Sequence, residues 1–161
     1  MKPLALADVD HPFLKNISPE HLKILDDCAM RCHFAPGEVI FHEGDPANRF
    51  YLIEKGKVAL ISANKRDTQQ IQVIGAGEVL GWSWLFPPYV WHFDARTIES
   101  TDAIFLYGTR LREACEEDHD LGYELMQRIA AVLIERLQAT RHQLIESKTG
   151  RPVSISEAKQ D

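Results

Sequence analysis

The 161-residue chain is 45% hydrophobic and 26% charged, enough apolar material for one globular core and some tail, with no run near the ~20 apolar residues of a membrane-spanning helix. Its formal net charge of −6 weighs against a protein that grips a phosphate backbone with clustered Lys and Arg. Met1-Lys2-Pro3-Leu4 has no basic segment followed by a long apolar one, so a cytoplasmic location is expected.

The first structural signal is Ser18-Pro19-Glu20, where serine caps, proline takes the first helical position and Glu20 complements the helix dipole. Leu22, Leu25 and Ala29 recur at helical spacing and predict a short helix ending near Cys32, with Leu22 and Leu25 on its buried side. Cys28 and Cys32, four apart on that helix, read as two core-facing thiols, and the odd set they form with Cys115 fits a reducing compartment. His33 and His42 are near in sequence, but small buried thiols are commoner than ligands and no metal is expected.

From Phe34 to Tyr107 short β-branched and aromatic runs take over: Val39-Ile40-Phe41, Phe50-Tyr51-Leu52-Ile53, Val58 to Ile61, Ile71 to Ile74 and Ala103 to Tyr107. Pro36-Gly37, Gly44-Asp45-Pro46 and Gly56-Lys57 break them into a compact antiparallel barrel, roll or sandwich. Helical periodicity returns in Thr109 to Glu116 and then from about Leu121 to Ile145, a length of roughly 35 to 40 Å that exceeds what a small β unit needs for cover. Met126, Ala130, Leu133, Leu137, Thr140 and Leu144 alternate spacings of four and three, as in a coiled-coil seam, so a parallel homodimer is expected. The alternative is a stripe that packs entirely on its own β unit, and a second apolar set of Ile129, Val132 and Ile134 gives the helix more than one buried face. Residues 147–161 read as a flexible tail, since those after Gly150 are mostly polar and lie beyond a glycine stop.

The string from Pro36-Gly37-Glu38 through Gly44-Asp45-Pro46-Ala47-Asn48-Arg49-Phe50-Tyr51-Leu52-Ile53 to Gly56-Lys57-Val58 resembles the opening strands of the cyclic nucleotide-binding domain family. Gly77-Glu78-Val79-Leu80-Gly81 looks like the strand entering that family's phosphate-binding cassette, and Glu135-Arg136-Leu137-Gln138-Ala139-Thr140 resembles the C-helix of the catabolite activator group. The resemblance covers residues 12–146 and implies an α+β, mainly β fold: a double-stranded β-helix (jelly-roll-like β-roll) with an N-terminal helix and a long C-terminal dimerisation helix.

In such domains a glutamate after the cassette glycine holds the ribose, and an arginine followed by Ser or Thr holds the phosphate. Here the glutamate position is Trp82, which donates one hydrogen bond and accepts none. The phosphate arginine should fall near Asp94, counted back from an expected strand Thr97-Ile98-Glu99-Ser100, and the nearest substitute is Arg96-Thr97, offset by about 6 to 7 Å along the strand. Thr140 occupies the position of the C-helix threonine that touches the base, and Arg141 beside it is expected to supply a cation across the dimer. The ligand-binding set is therefore Gly81, Trp82, Ser83, Trp84, Arg96, Thr97, Thr140 and Arg141, with cyclic AMP or cyclic GMP as the implied ligand, weakened because the glutamate and arginine are out of place.

Trp82, Trp84, Phe86, Tyr89, Trp91 and Phe93 are a dense aromatic set for a chain 9% aromatic, and they either line a cavity for a planar ligand or fold inward and plug it. His92 and Asp94 read as surface or core filler, Arg49 as an ion-pairing residue in the roll, and Lys55 and Lys57 as the solvated face of a hairpin. No activated nucleophile or carboxylate pair appears at useful spacing, so a non-enzymatic sensor acting on a separate downstream protein is expected. Lys148-Thr149-Gly150-Arg151 resembles the hinge before the DNA-binding region of catabolite activator regulators. Only ten residues follow it, too few for a helix-turn-helix, so direct DNA binding is not expected.

Overall fold

The computed structural model describes residues 4–63 and 68–149. The chain divides into two compact units, Met1–Glu124 and Leu125–Asp161. Before the first long element lie two 3-10 turns, Leu6–Asp8 and Pro12–Leu14. Helix α1 (Pro19–Asp26) follows, with Pro19 at its first turn and the Ser18 hydroxyl accepting from the His21 N–H at 3.2 Å. Eight strands then build the roll: β1 (Ala29–Phe34), β2 (Val39–Phe41), β3 (Arg49–Lys55), β4 (Lys57–Ala63), β5 (Thr68–Gly75), β6 (Val79–Leu80), β7 (Asp94–Thr97) and β8 (Thr101–Tyr107).

They form two four-stranded antiparallel sheets, ordered β1-β8-β3-β6 and β2-β7-β4-β5, in the interleaved pattern of a jelly-roll-like double-stranded β-helix. Alternation along each strand sorts residues to two faces. The inward row Tyr51, Ile53, Ala103 and Phe105 joins Val58, Leu60, Ile74 and Ala95 in the interior core. The outward row Phe50, Leu52, Ile104 and Leu106 is buried as well, with the Phe13 ring edge-on to Phe50 at 5.1 Å. Burial on both faces is why β3 and β8 read as continuous apolar runs rather than as alternating ones. Gly56 closes the β3–β4 hairpin at φ +105°, where a Cβ would come within 2.5 Å of the Ser100 carbonyl oxygen, so the turn admits glycine alone.

Three expectations need correction. The first helix stops at Asp26 rather than near Cys32, because Ala29–Phe34 pairs with β8 from Ala29↔Leu106 to Phe34↔Thr101. Cys28 and Cys32 therefore share no helix face: Cys28 is buried just past the helix end, and Cys32 lies on the inner face of β1 packed against the core. Burial pushes the Cys32 thiol up to about 11, so it remains protonated at neutral pH. The strand expected at Thr97–Ser100 is instead Asp94–Thr97, ending where it was expected to begin. Ala95 and Thr97 are its inward, buried residues, and Ile98 beyond is 48% exposed.

After the roll come α2 (Gly108–Glu117) and α3 (His119–Thr149). The Asp118 carboxylate accepts from the Leu121 N–H at 3.1 Å and starts α3. Within the second unit α3 runs unbroken from Leu125 through Thr149, so 147–149 of the expected tail are helical, and residues 150–161 lie outside the described residues. Among the described residues no helix is long and apolar enough to cross a membrane.

Candidate functional site

The segment joining β6 to β7 departs from the roll at Gly81, whose φ is +86°. A Cβ there would meet the Trp91 ring at 2.5 Å, so glycine is required both by the backbone and by the indole lying over it. Successive turns follow, Leu85 N–H to the Trp82 carbonyl at 3.1 Å and Tyr89 N–H to the Phe86 carbonyl at 2.9 Å. The far side of the loop is zipped to the β2–β3 connection by Ala47 N–H to Tyr89 O at 2.7 Å, Gly44 N–H to Trp91 O at 2.8 Å and Trp91 N–H to Asp45 O at 3.0 Å.

The aromatic set does not act as one group. Trp91 enters the roll and stacks on Phe41, ring centroids 3.9 Å apart and planes 9° from parallel. Phe93 lies 5.8 Å from Phe41, and Trp82 meets Phe93 edge-on at 6.3 Å, both half-buried. Trp84 turns the other way: it is fully buried 5.7 Å from Phe50 on the outward face of β3, and its Nε1–H has no hydrogen-bond partner among the described residues. Arg112 holds this arm, its guanidinium donating to the Trp84 carbonyl and lying 4.3 Å over the Tyr89 ring. Phe86 is 43% exposed at the tip. Trp91 thus plugs the interior, Trp82 and Phe93 rim it, and Trp84 anchors the loop to the opposite layer.

The expected ligand residues fare unequally. Gly81 and Ser83 are buried and Trp82 is half-buried at the rim, but Trp84 is turned away from the roll interior. Asp94 and Arg96 share the outward face of β7, while Ala95 and Thr97 point inward. Arg96 is exposed and donates from Nε to the Gly37 carbonyl at 3.0 Å. The Thr97 hydroxyl donates to the Ala35 carbonyl at 2.6 Å and accepts from Glu38 N–H at 2.9 Å, so its one donor is spent on the chain itself. The pair Arg96-Thr97, expected as a stand-in for the phosphate arginine, brings no cation to the interior, because strand alternation sends the arginine out. Asp94 does not face the interior either: its carboxylate accepts from Glu43 N–H at 2.6 Å, with His42 Nδ1 at 3.8 Å. In the second unit Thr140 and Arg141 are exposed positions on α3.

The cation on the inner face is Arg49, the first residue of β3. Its guanidinium lies 4.3 Å over the Phe105 ring and 5.9 Å from the Tyr107 ring, and its charge opposes the burial that raises the Tyr51 pKa. Among the described residues no carboxylate is within ion-pair distance of it, which corrects the ion-pairing role expected from sequence. Lys55 and Lys57 are exposed at the hairpin, as expected of solvated charges.

A second polar cluster lies on the outward face of β1 and β8. His33 Nδ1 meets the Asp102 carboxylate at 2.6 Å and His33 Nε2 meets the Ser100 hydroxyl at 3.4 Å, beside an open groove of 560 Å³ that Arg31, Glu54 and Lys55 also line. The order is that of nucleophile, base and orienting acid, but His33 is 59% and Asp102 50% exposed, so water competes for every bond that would activate the hydroxyl. The strand register His33↔Asp102 created this pairing, which linear spacing could not disclose.

A model of a family described as "Cyclic nucleotide-binding domain" matches residues 31–118, more than half of the chain. The chain is 38% identical over 55 residues to a cAMP-dependent protein kinase regulatory subunit of Hypocrea atroviridis, a stretch covering 34% of this chain and 12% of that protein. It is 25% identical over 134 residues to a CRP-like cAMP-activated global transcriptional regulator of Mycobacterium tuberculosis, covering 82% of this chain and 58% of that protein. The chain thus spans only part of the length of both curated relatives. A crystal structure of a putative cyclic nucleotide-binding protein from Geobacter metallireducens superposes with a TM-score of 0.73 at 29% identity, over 79% of this chain and 92% of that one.

Proposed function

Because the chain belongs to the cyclic nucleotide-binding domain family, we propose that it is a ligand-sensing regulatory module rather than a catalyst, whose ligand is a planar, phosphate-bearing small molecule of the cyclic-nucleotide class. The observation that carries this reading is the rim of the roll. The turn leaving Gly81 sets Trp82 half-buried and edge-on to Phe93, an aromatic surface suited to a base or other flat ring.

Affinity for cyclic AMP is expected to be micromolar or weaker. Trp82 cannot accept from a ribose hydroxyl, and losing one charge-assisted contact costs roughly 1.5 to 3 kcal/mol. Thermal-shift screening followed by calorimetry with cyclic AMP, cyclic GMP, cyclic dinucleotides and planar metabolites tests the reading. A ligand at ~100 times its Kd adds about 2.7 kcal/mol to stability. Failure of every phosphate-bearing compound to shift the melting point favours a second reading, an interaction domain with a plugged roll, which the Phe41–Trp91 stack supports.

Output is proposed to run through α3 as a two-fold homodimer, read by a separate protein. Five of the six seam positions, Met126, Ala130, Leu137, Thr140 and Leu144, are exposed in the single chain and Leu133 is half-buried. Leu137 is 69% exposed, an apolar side chain with reason to be covered. Sedimentation giving a monomer at micromolar concentration would remove this route. A gel shift with genomic fragments at low salt separates the sensor from a transcription regulator of the kind the Mycobacterium relative is named for.

A further inference from the structure

We infer that Arg49 is the anion-binding group of this roll, holding the phosphate oxygens of the ligand in place of an arginine from the cassette. The inference rests on the ligand-sensing reading above and names the residue that would make it work.

In β3 the run Arg49 to Ile53 is flanked by buried layers, so residues sharing a face with Tyr51 and Ile53 project into the roll, and Arg49 is one of them. A guanidinium carried into an aromatic interior loses hydration and needs compensation. Phe105 and Tyr107 offer their rings, and the Tyr51 phenol stands beside it. Those neighbours are ring faces and a phenol, and none of them carries a charge. A guanidinium carries five N–H donors along its edges, and no carboxylate among the described residues is within ion-pair distance. Arg31 of the same sheet, on the outward face, does have such a partner, Glu54 at 2.8 Å.

Position supplies the second half. β3 pairs with β6 through Tyr51↔Leu80 and Leu52↔Val79, so the cassette leaves the sheet beside the start of β3. The Arg49 carbonyl oxygen is 3.5 Å from where a Gly81 Cβ would stand, so strand and cassette touch at this point. Arg49 is half-buried, like Trp82, Phe93 and Tyr107, whereas Phe41, Trp91 and Phe105 behind them are buried. The cation stands at the rim, where a ligand stacked on the half-buried rings would place its charged group. A planar guanidinium can present its edge to two oxygens at once, the geometry that suits phosphate.

The test uses the full chain, with Arg49→Lys and Arg49→Met as variants; methionine keeps an apolar stem against Phe105 and reports on folding through its melting temperature. Calorimetry with cyclic AMP and adenosine is combined with NMR of the Arg49 Nε–H during titration with inorganic phosphate. The expected result is that Arg49→Met, still folded, loses cyclic AMP affinity roughly tenfold to a hundredfold. Arg49→Lys should lose less, and adenosine binding should stay unchanged. Equal cyclic AMP affinity in wild type and both variants overturns the assignment while leaving the sensor reading intact. If wild type binds no nucleotide yet phosphate saturably shifts the Arg49 Nε–H, the anion site stands and the nucleotide reading falls. If neither nucleotide nor phosphate acts on the wild type, the assignment is wrong.

Discussion

Replacing Gly81 by alanine puts a methyl group 2.5 Å from two carbons of the Trp91 ring, on a residue held at φ +86°. The left-handed backbone alone costs an alanine ~1–2 kcal/mol, and forcing an extra methyl into filled space costs ~1–3 kcal/mol. Since Trp91 is 3% exposed and stacked on Phe41, it has no room to recede without breaking that stack. A total near 3 kcal/mol corresponds to roughly 6 to 12 °C in melting temperature for a chain of this size. Denaturant unfolding followed by circular dichroism measures it, and a double-mutant cycle with Trp91→Ala separates the two parts. In the Trp91→Ala background the steric part should vanish, leaving only ~1–2 kcal/mol for Gly81→Ala and a coupling of about 1 to 2 kcal/mol. Strict additivity, or a Gly81→Ala variant as stable as wild type, would show that the indole does not seal the cassette glycine.

Other outcomes follow from the same packing. Trp84→Phe removes a buried N–H without a hydrogen-bond partner among the described residues while keeping a ring against Phe50, so stability should change by less than about 1 kcal/mol; Trp84→Ala should cost ~3–5 kcal/mol, both read from urea midpoints. His11 is 2% exposed, with Nε2 at 3.1 Å from the Ile53 carbonyl and Nδ1 accepting from Phe13 N–H at 3.1 Å; burial lowers its pKa. A lowered folded-state pKa means the contribution is present above the ordinary value of 6.5 and is lost as pH falls below it, so the melting temperature should drop on acidification and drop less in His11→Gln. For Cys32 the sign reverses: its contribution is full below pH 9.0 and fades as pH rises towards about 11, so thiol labelling of the native protein should be slow until that range. Leu137→Asp, at a position 69% exposed, should yield monomers by light scattering with a near-normal far-ultraviolet spectrum; an unchanged mass would exclude the seam as the dimer contact.

Most of the roll was legible because its strands are short apolar runs punctuated by turn residues, and Phe50–Ile53 and Ala103–Tyr107 could hardly be anything else. What was misread had two compatible periods. Cys28 and Cys32 satisfy a helix at spacing four, while Met30, Cys32 and Phe34 satisfy a strand at spacing two. Only the pairing of β1 with β8, a contact distant in sequence, decides between them. Arg96 was placed by counting along the chain, and alternation within β7 sends it outward. The same rule applied to Arg49, Tyr51 and Ile53 turns Arg49 inward. Trp84 is different: its loop crosses from the interior to the opposite layer within a few residues, and no periodicity marks the crossing.

The most direct measurement is backbone and indole NMR of the full chain titrated with cyclic AMP and cyclic GMP. Saturable shifts clustered at Gly81, the Trp82 indole, Ser83 and the Arg49 guanidinium are the expected result. Shifts confined to the groove of Arg31, His33 and Asp102, or none at millimolar nucleotide, would contradict the proposal that the rim of this roll is a ligand seat.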